Sequence, residues 1–203
     1  RQEQWEIYRN AGEVLSRWDS TETEKAKQVQ TLEQLWEDGF PAAAHQLGKC
    51  WRDGLGVLPD DEQAELWFRR GAEAGYDFSQ YALGRLLETQ KRMEEAVTWY
   101  EKAAAQGNPA AAYRLGKLYL QGELVSKDVP KALEYLTASA GQGSPFAQYI
   151  LGKLYLMGKD VEQDREKAYR WFEMSAEQGN PYARFFLEHA GESPSPHLLL
   201  TAT

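Results

Sequence analysis

The sequence predicts an all-α fold, a right-handed superhelical α-solenoid of stacked helix pairs. Two observations lead to this prediction: a motif that returns about every 36 residues, and start and stop signals for two helices in each copy. Leu-Gly pairs mark the motif, and their leucines are Leu47, Leu83, Leu115 and Leu151, in steps of 36, 32 and 36 residues. A helical repeat of this length is typical of a solenoid, in which each copy stacks on its neighbours.

Three further columns keep the same spacing. The alanines are Ala64, Ala96, Ala132 and Ala168, the aromatic residues three positions later are Trp67, Trp99, Tyr135 and Trp171, and the closing glycines are Gly75, Gly107, Gly143 and Gly179. Because the aromatic residues recur at helical spacing, we expect them to fill the core between neighbouring repeats. Gly48 and its counterparts lie inside a helix, where glycine costs about 1 kcal/mol relative to alanine, so we expect close backbone packing against the second-helix alanines.

This register divides residues 1–190 into one repeat array. It predicts a degenerate cap at 1–39, repeats at 40–75, 76–107, 108–143 and 144–179, and a closing helix at 180–190. These are called repeats one to five and the closing helix below. Residues 191–203 contain two prolines and are expected to form a linker or tail, because proline blocks helix continuation.

Helix boundaries can be predicted inside each repeat. Asn108, Ser144 and Asn180 each precede a proline, and this combination suits the start of the first helix. The second helix is expected to be capped by the aspartates that stand four residues before its alanine, which are Asp60, Asp128 and Asp164. The third repeat departs from this pattern, because its connector is four residues shorter and lacks both the Gly and the Asp.

The complete pattern is Ala-x-x-x-Leu-Gly-x-x-Tyr, then Gly and Asp, then Lys-Ala-x-x-Trp-Phe-x-x-x-Ala-x-x-Gly, and its clearest copy spans 151–179. It resembles the Sel1-like repeat, a relative of the tetratricopeptide repeat, over residues 40–190. The third repeat looks more like a plain tetratricopeptide unit. The resemblance implies a protein-interaction scaffold.

A second resemblance concerns the C-terminal part of the chain. The last two repeats and the tail His-Leu-Leu-Leu-Thr-Ala-Thr are similar to repeat regions that follow the relaxase of bacterial mobilisation proteins. This similarity implies an alternative function, an accessory arm of a larger DNA-mobilisation enzyme.

Composition argues against several classes of partner. The 203 residues carry a net charge of -8, whereas surfaces that bind nucleic acid or anionic lipid through bulk charge carry excess Lys and Arg. No window of about 18 consecutive apolar residues is present, and residues 1–20 lack the apolar core of a signal peptide. We therefore expect a cytoplasmic protein without a membrane partner, although the start at Arg1 rather than Met leaves a removed signal open.

Reactive side chains are few. Cys50 is the only cysteine, and the three histidines, His45, His189 and His197, do not have metal-ligand spacing. No nucleophile elbow or phosphate-binding glycine loop is present. We expect no enzymatic activity, no metal or other cofactor and no small-molecule substrate, and we expect Cys50 to be a buried, inert thiol.

The candidate binding residues lie on the first helices, whose stacking in a solenoid creates a concave groove. In the tetratricopeptide family the positions two before and two after the leucine contact peptides. The resemblance thus implies an aromatic row, His45, Tyr81, Tyr113, Tyr149 and Phe185, beside a basic row, Lys49, Arg85, Lys117 and Lys153.

An acidic or extended peptide segment would suit these two rows, since lysine and arginine bind carboxylates and tyrosine supplies contact area. Two alternatives remain open from the sequence. The basic row could be a solvated helix face, or it could bind nucleic acid through phosphates.

Overall fold

The computed structural model describes residues 1–192, and the predicted tail lies outside the described residues from position 193 onward. Within residues 1–192 there are eleven α-helices and no β-strand, so the all-α prediction is confirmed. The helices are α1 Gln2–Ser16, α2 Glu22–Glu37, α3 Ala42–Asp53, α4 Asp61–Glu73, α5 Asp77–Thr89, α6 Met93–Ala105, α7 Pro109–Gln121, α8 Val129–Gly141, α9 Pro145–Met157, α10 Arg165–Glu177 and α11 Pro181–Glu188.

The chain forms two compact units, Arg1–Gln106 and Gly107–Thr203. The N-terminal unit contains the helix pairs α1–α2, α3–α4 and α5–α6, and the C-terminal unit contains α7–α8, α9–α10 and α11. Within each unit, every helix packs against the next one along the chain, which is the stacked-pair arrangement of an α-solenoid.

The predicted caps form. The side chains of Asn108, Ser144 and Asn180 accept hydrogen bonds from backbone N–H groups in the first turns of α7, α9 and α11. Asp60, Asp128 and Asp164 cap α4, α8 and α10 in the same way. These side chains satisfy N–H groups that have no partner inside the helix, which fixes where each helix begins.

A large side chain of the second helix lies directly against the glycine of the first helix in repeats two to five. A Cβ atom built on Gly48 would lie 2.4 Å from the ring of Phe68, and one on Gly152 would lie 2.6 Å from the ring of Phe172. The same contact joins Gly84 to Tyr100 and Gly116 to Leu136. The expected role of the alanines is thereby corrected: the glycine makes room for the residue after the aromatic position.

The tryptophans differ from one another. Trp67 and Trp99 are buried, as predicted, and Arg70 and Lys102 lie over their rings at 4.5 and 4.3 Å. Trp171 is only partly buried, whereas the adjacent Phe172 is fully buried and stacks on Phe186 at 4.9 Å. In the fifth repeat the main core ring is therefore Phe172 rather than the predicted Trp171.

Pairs of glutamines connect successive repeats inside each unit. Gln148 on α9 donates from Nε2 to the carbonyl of Ala140 at the end of α8 (3.1 Å), and its Oε1 accepts from Gln178 (2.8 Å). Gln80 and Gln106 form the same arrangement in the N-terminal unit. Each buried amide has partners for its donor and its acceptor, so it specifies the stacking without leaving an unpaired polar group.

The short third repeat replaces the missing connector residues with an ion network. Lys91 takes a positive φ of 61° at the turn between α5 and α6. The guanidinium of Arg92, which precedes α6, pairs with Glu65 and Glu95 at 2.9 and 2.7 Å, and Arg69 pairs with the same two carboxylates at 2.8 Å. The network links α4 to α6.

The glycine contact predicts the effect of two matched substitutions. Gly152→Ala should destabilise the protein by about 1–3 kcal/mol, because the added methyl group overlaps the ring of Phe172 and outweighs the better helix propensity of alanine. Gly12 occupies the corresponding place in α1 and has no atom within 4 Å of its Cβ position, so Gly12→Ala should stabilise by up to about 1 kcal/mol. Chemical denaturation of both variants measures the difference. Equal changes in stability would show that the contact does not matter.

Candidate functional site

The aromatic and basic residues predicted to bind a partner occur as pairs separated by one helical turn. His45 and Lys49 lie on α3, Tyr81 and Arg85 on α5, Tyr113 and Lys117 on α7, and Tyr149 and Lys153 on α9. Residues four apart are neighbours on a helix surface, so each cation can contact the ring before it. Phe185 on α11 occupies the aromatic position of the closing helix.

In the N-terminal unit, the His45 side chain is enclosed by rings. Its imidazole lies 5.8 Å from the ring of Phe68, 5.9 Å from Tyr76 and 6.2 Å from Phe78, and within the described residues its buried Nδ1 has no hydrogen-bond partner. Burial lowers the pKa of His45 to about 4, and the charges of Lys49 and Arg52 act in the same direction. The ring is therefore neutral at pH 7.

The second pair of this unit is more open. Arg85 is exposed, and its Nη1 lies 3.4 Å from the hydroxyl of Tyr81. The ring of Tyr81 packs on that of Tyr100, the side chain that contacts Gly84. The ring of Tyr81 thus packs against the core, while the side chain of Arg85 faces solvent.

In the C-terminal unit, both lysines lie over the tyrosine of their pair. The Nζ of Lys117 is 5.7 Å from the centre of the Tyr113 ring, and the Nζ of Lys153 is 5.6 Å from that of Tyr149. Burial lowers the pKa of both lysines, and the charge of Lys117 further lowers the pKa of Lys153. The charge of Arg114 also lowers the pKa of Lys117.

Lys153 differs from the sequence expectation. Only 4% of this residue is exposed, so it is not part of a solvated face. Its aliphatic stem packs in the protein, which is common for lysines that keep the charged end near a surface. Reversing its charge with glutamate would thus disturb packing as well as the charge.

The residues of the basic row have no carboxylate partners in residues 1–192, as is also true of exposed cations such as Lys159 and Arg165, but among these residues Lys153 is almost fully buried. Within residues 1–192, none of its four side chains is in an ion pair, whereas Arg69, Arg92 and Lys127 all are. Helices α7 and α9 also contain no Asp or Glu, although the chain has 31 acidic residues. In the C-terminal unit, acidic side chains are thus absent from α7 and α9, the first helices of the two helix pairs.

Three exposed aromatic residues lie on first helices and were not predicted, one of them in the N-terminal unit and two in the C-terminal unit. Phe78, Phe146 and Tyr182 are 52%, 62% and 65% exposed. Phe146 of α9 lies 6.1 Å from Tyr113 of α7, and Tyr182 of α11 lies 6.0 Å from Tyr149 of α9. Each stands three residues before an aromatic-row position and so lies on the same face of its helix. This spacing could have identified them from the sequence.

His189 extends the basic row of the C-terminal unit. It follows Lys153 by 36 residues, and its ring stacks on Phe185 at 4.1 Å, as Lys153 lies over Tyr149. Its Nδ1 lies 2.8 Å from the carbonyl oxygen of Phe185. The repeat spacing could have identified this residue if the register had been carried one step further.

Reactive chemistry has little support in these surroundings. Cys50 is fully buried, and burial raises the pKa of its thiol to about 12, so it stays protonated. In the described part of the chain, no cluster of three or more His, Cys, Asp or Glu side chains is arranged to bind a metal ion. No helix of residues 1–192 has the length and apolar character needed to cross a membrane.

The buried imidazole predicts a pH effect on stability. The pKa of His45 is about 4 in the folded protein, below the 6.5 of a free histidine, so the unfolded chain binds the proton first as the pH falls. Stability should be unaffected by this group above pH 7 and should decrease by up to about 3 kcal/mol between pH 6.5 and 4. His45→Phe should lose less stability over that interval. Parallel denaturant titrations of both proteins test this, and identical pH profiles would contradict it.

Comparison with known proteins gives the family of the chain. The Sel1 repeat profile matches residues 41–76, 78–108, 109–144 and 145–180. The short third repeat is included, so its likeness to a plain tetratricopeptide unit was misleading. No curated protein matches the sequence.

Several solved bacterial structures are similar. A Sel1 repeat protein from Oxalobacter formigenes is 34% identical, with a TM-score of 0.75 over 82% of this chain and 49% of that one. A protective antigen with the SLR fold from uropathogenic Escherichia coli is 32% identical, with a TM-score of 0.75 over 80% of this chain and 36% of that one. An immunity protein from Pseudomonas aeruginosa is 27% identical, with a TM-score of 0.63 over 98% of this chain and 75% of that one.

This chain spans about half or less of the first two of these proteins. The four consecutive profile matches and the stacked helix pairs lead to the same conclusion: the chain belongs to the Sel1 repeat family.

Proposed function

We propose that this protein is a non-enzymatic scaffold that binds an acidic, extended segment of another protein through its first helices. In the N-terminal unit the binding residues are His45, Lys49, Tyr81 and Arg85, and in the C-terminal unit they are Tyr113, Lys117, Tyr149, Lys153 and Phe185. Sel1 repeats are generally protein-interaction scaffolds.

The observation that carries the proposal is the burial of Lys153, a lysine that has no carboxylate partner in residues 1–192. Holding a mostly buried lysine such as Lys153 in its charged form costs free energy, and no carboxylate in residues 1–192 offsets that cost. A carboxylate of a partner would offset this cost, and it would accept a charge-assisted hydrogen bond from the lysine. The adjacent rings of Tyr113 and Tyr149 add apolar contact area.

A double substitution tests the role of the two lysines. Lys117→Met with Lys153→Met removes both charges and keeps side chains of similar length, so the fold should be retained. Binding to fluorescently labelled poly-L-glutamate, measured by anisotropy at low salt, should weaken by about tenfold or more. The remaining binding should depend less on salt, because fewer charges are left to be screened.

The control removes the same charge from another surface of the C-terminal unit. Lys159 and Arg165 are exposed, so Lys159→Met with Arg165→Met should leave poly-L-glutamate binding nearly unchanged. If both double variants bound equally well, Lys117 and Lys153 would not contribute to binding and the proposal would be wrong. Tighter, steeply salt-dependent binding to single-stranded DNA would instead favour nucleic acid.

A second candidate function comes from the immunity protein of Pseudomonas aeruginosa. It aligns with 98% of this chain, so the similarity includes the first repeat, which the Sel1 profile leaves unmatched. This coverage favours a specific binding protein that neutralises a toxic partner. The accessory-arm alternative depends in part on the tail, whose residues from 193 onward lie outside the described part.

Co-expression tests the immunity function. A toxic protein that this chain neutralises should arrest bacterial growth when expressed alone, and this chain should restore growth when expressed with it. The Lys117→Met, Lys153→Met variant should rescue less well than the Lys159→Met, Arg165→Met control if the same face binds the toxin. Absence of rescue by the unmodified chain would eliminate this candidate for that toxin.

A further inference from the structure

Two exposed rings of the C-terminal unit each lie beside a tyrosine that is also in contact with a lysine. The ring of Phe146 on α9 lies 6.1 Å from that of Tyr113 on α7, and the Nζ of Lys117 lies 5.7 Å from the centre of the same Tyr113 ring. The same arrangement recurs one repeat further, with distances of 6.0 and 5.6 Å, in Tyr149, Tyr182 and Lys153. In both places one tyrosine ring therefore brings an ammonium group and an exposed ring together.

The two exposed rings are not needed to build the repeat. Phe146 and Tyr182 are 62% and 65% exposed, whereas Phe172, a ring of the core, is fully buried. Ala42 and Ala110 occupy the same position in repeats two and four, so a repeat folds without a ring there. A single exposed apolar side chain is common on protein surfaces. What sets Phe146 and Tyr182 apart is the lysine beside each of them.

These lysines indicate the charge of the partner. Only 4% of Lys153 is exposed, and neither it nor Lys117 has a carboxylate partner in residues 1–192. The ammonium end of Lys153 still reaches solvent, since it has no hydrogen-bond partner and yet is not among the fully enclosed unpaired atoms of residues 1–192. Helices α7 and α9 contain no Asp or Glu, so a carboxylate that approaches them meets no like charge on either helix.

The N-terminal unit has a related ring contact in a different charge environment. The exposed ring of Phe78 on α5 lies 6.2 Å from His45 on α3. Burial lowers the pKa of His45 to about 4, so this side chain is neutral at pH 7. The two helices also carry the acidic residues Asp53, Asp77 and Glu88. Within the described residues, an exposed ring beside an almost fully buried lysine therefore occurs in the C-terminal unit and not in the N-terminal one.

We infer that the C-terminal unit binds an acidic segment that also carries large apolar side chains, with Lys117 and Lys153 binding its carboxylates and Phe146 and Tyr182 contacting its apolar side chains. The inference rests on the proposed function. It adds two binding residues and the second class of side chain that the partner supplies. A segment with carboxylates alone would pair with the lysines and leave both rings in water, whereas apolar side chains would also remove the rings from water.

Two labelled peptides of equal length and charge test this inference. One repeats Glu-Glu-Leu-Leu three times, and the other has serine in place of every leucine. Anisotropy titrations of the full chain should show about tenfold tighter binding of the leucine peptide, because only this peptide buries apolar surface against the rings. Phe146→Ala with Tyr182→Ala should weaken binding of the leucine peptide by about five- to tenfold and that of the serine peptide by less than about twofold.

Two control variants remove apolar side chains of similar exposure elsewhere. Phe78→Ala changes the same repeat position in the N-terminal unit. Leu124→Ala with Met174→Ala changes exposed residues of the C-terminal unit that lie outside its first helices. Both controls should leave the affinity for the leucine peptide unchanged, and a loss as large as that of the Phe146→Ala, Tyr182→Ala variant would contradict the assignment to these two rings.

Three other outcomes would overturn the inference, and they can be told apart. Equal binding of the two peptides, or equal weakening of both by Phe146→Ala with Tyr182→Ala, would remove the role of apolar side chains while leaving acidic-segment binding intact. Dimerisation of the full chain that this variant abolishes would assign the rings to a second copy of the chain. Failure of both peptides and of poly-L-glutamate to bind would overturn the proposed function as well.

Discussion

The contact between the first-helix glycine and the large side chain of the second helix determines how each repeat is built. Without a Cβ atom at Gly152, the ring of Phe172 can rest on the backbone of α9, and the same is true of Gly48 and Phe68 on α3. The glycine thus faces inward. Its successor on the helix is rotated by about 100°, which turns Lys49 and Lys153 toward one side of the pair, next to the ring four residues earlier. The positions of the candidate binding residues are therefore a consequence of how the core packs.

Much of the fold could be predicted because its signals are local and repeated. Caps such as Asn108 and Asp128 act on the next turn of chain, so their sequence position determines their structural position. The partner of the glycine was harder to identify, because Phe68, Tyr100 and Leu136 share size but not residue type. A tryptophan that recurs at one repeat position is easily recognised in the sequence. A position whose residues share only a large volume is not.

The candidate site was only partly accessible from the sequence. Repeat spacing identified the cations, but Lys117 and Lys153 look equivalent in the sequence and differ in burial. That difference depends on packing beyond the repeat itself: the rings of Tyr182 and Phe186 lie 6.0 and 6.2 Å from Tyr149, the ring beneath Lys153. Such contacts between neighbouring helices cannot be read from a one-repeat pattern.

The separation of charge has a consequence for selectivity. A protein with a net charge of -8 repels a large acidic surface at long range, whereas a narrow acidic segment can approach a local cluster of cations within about one screening length. If the proposed function is correct, the acidic residues of the second helices would help to reject bulky anionic partners, while α7 and α9, which have no carboxylates, would accept a thin one.

The buried stem of Lys153 also affects the entropy of recognition. A free lysine side chain loses about 2 kcal/mol of rotamer freedom when a ligand immobilises it. In this protein the methylene chain is already confined above Tyr149 when the fold forms, so little of that freedom is left to lose on association. An anionic partner that bound the proposed site would therefore gain affinity from a side chain that was ordered before it arrived.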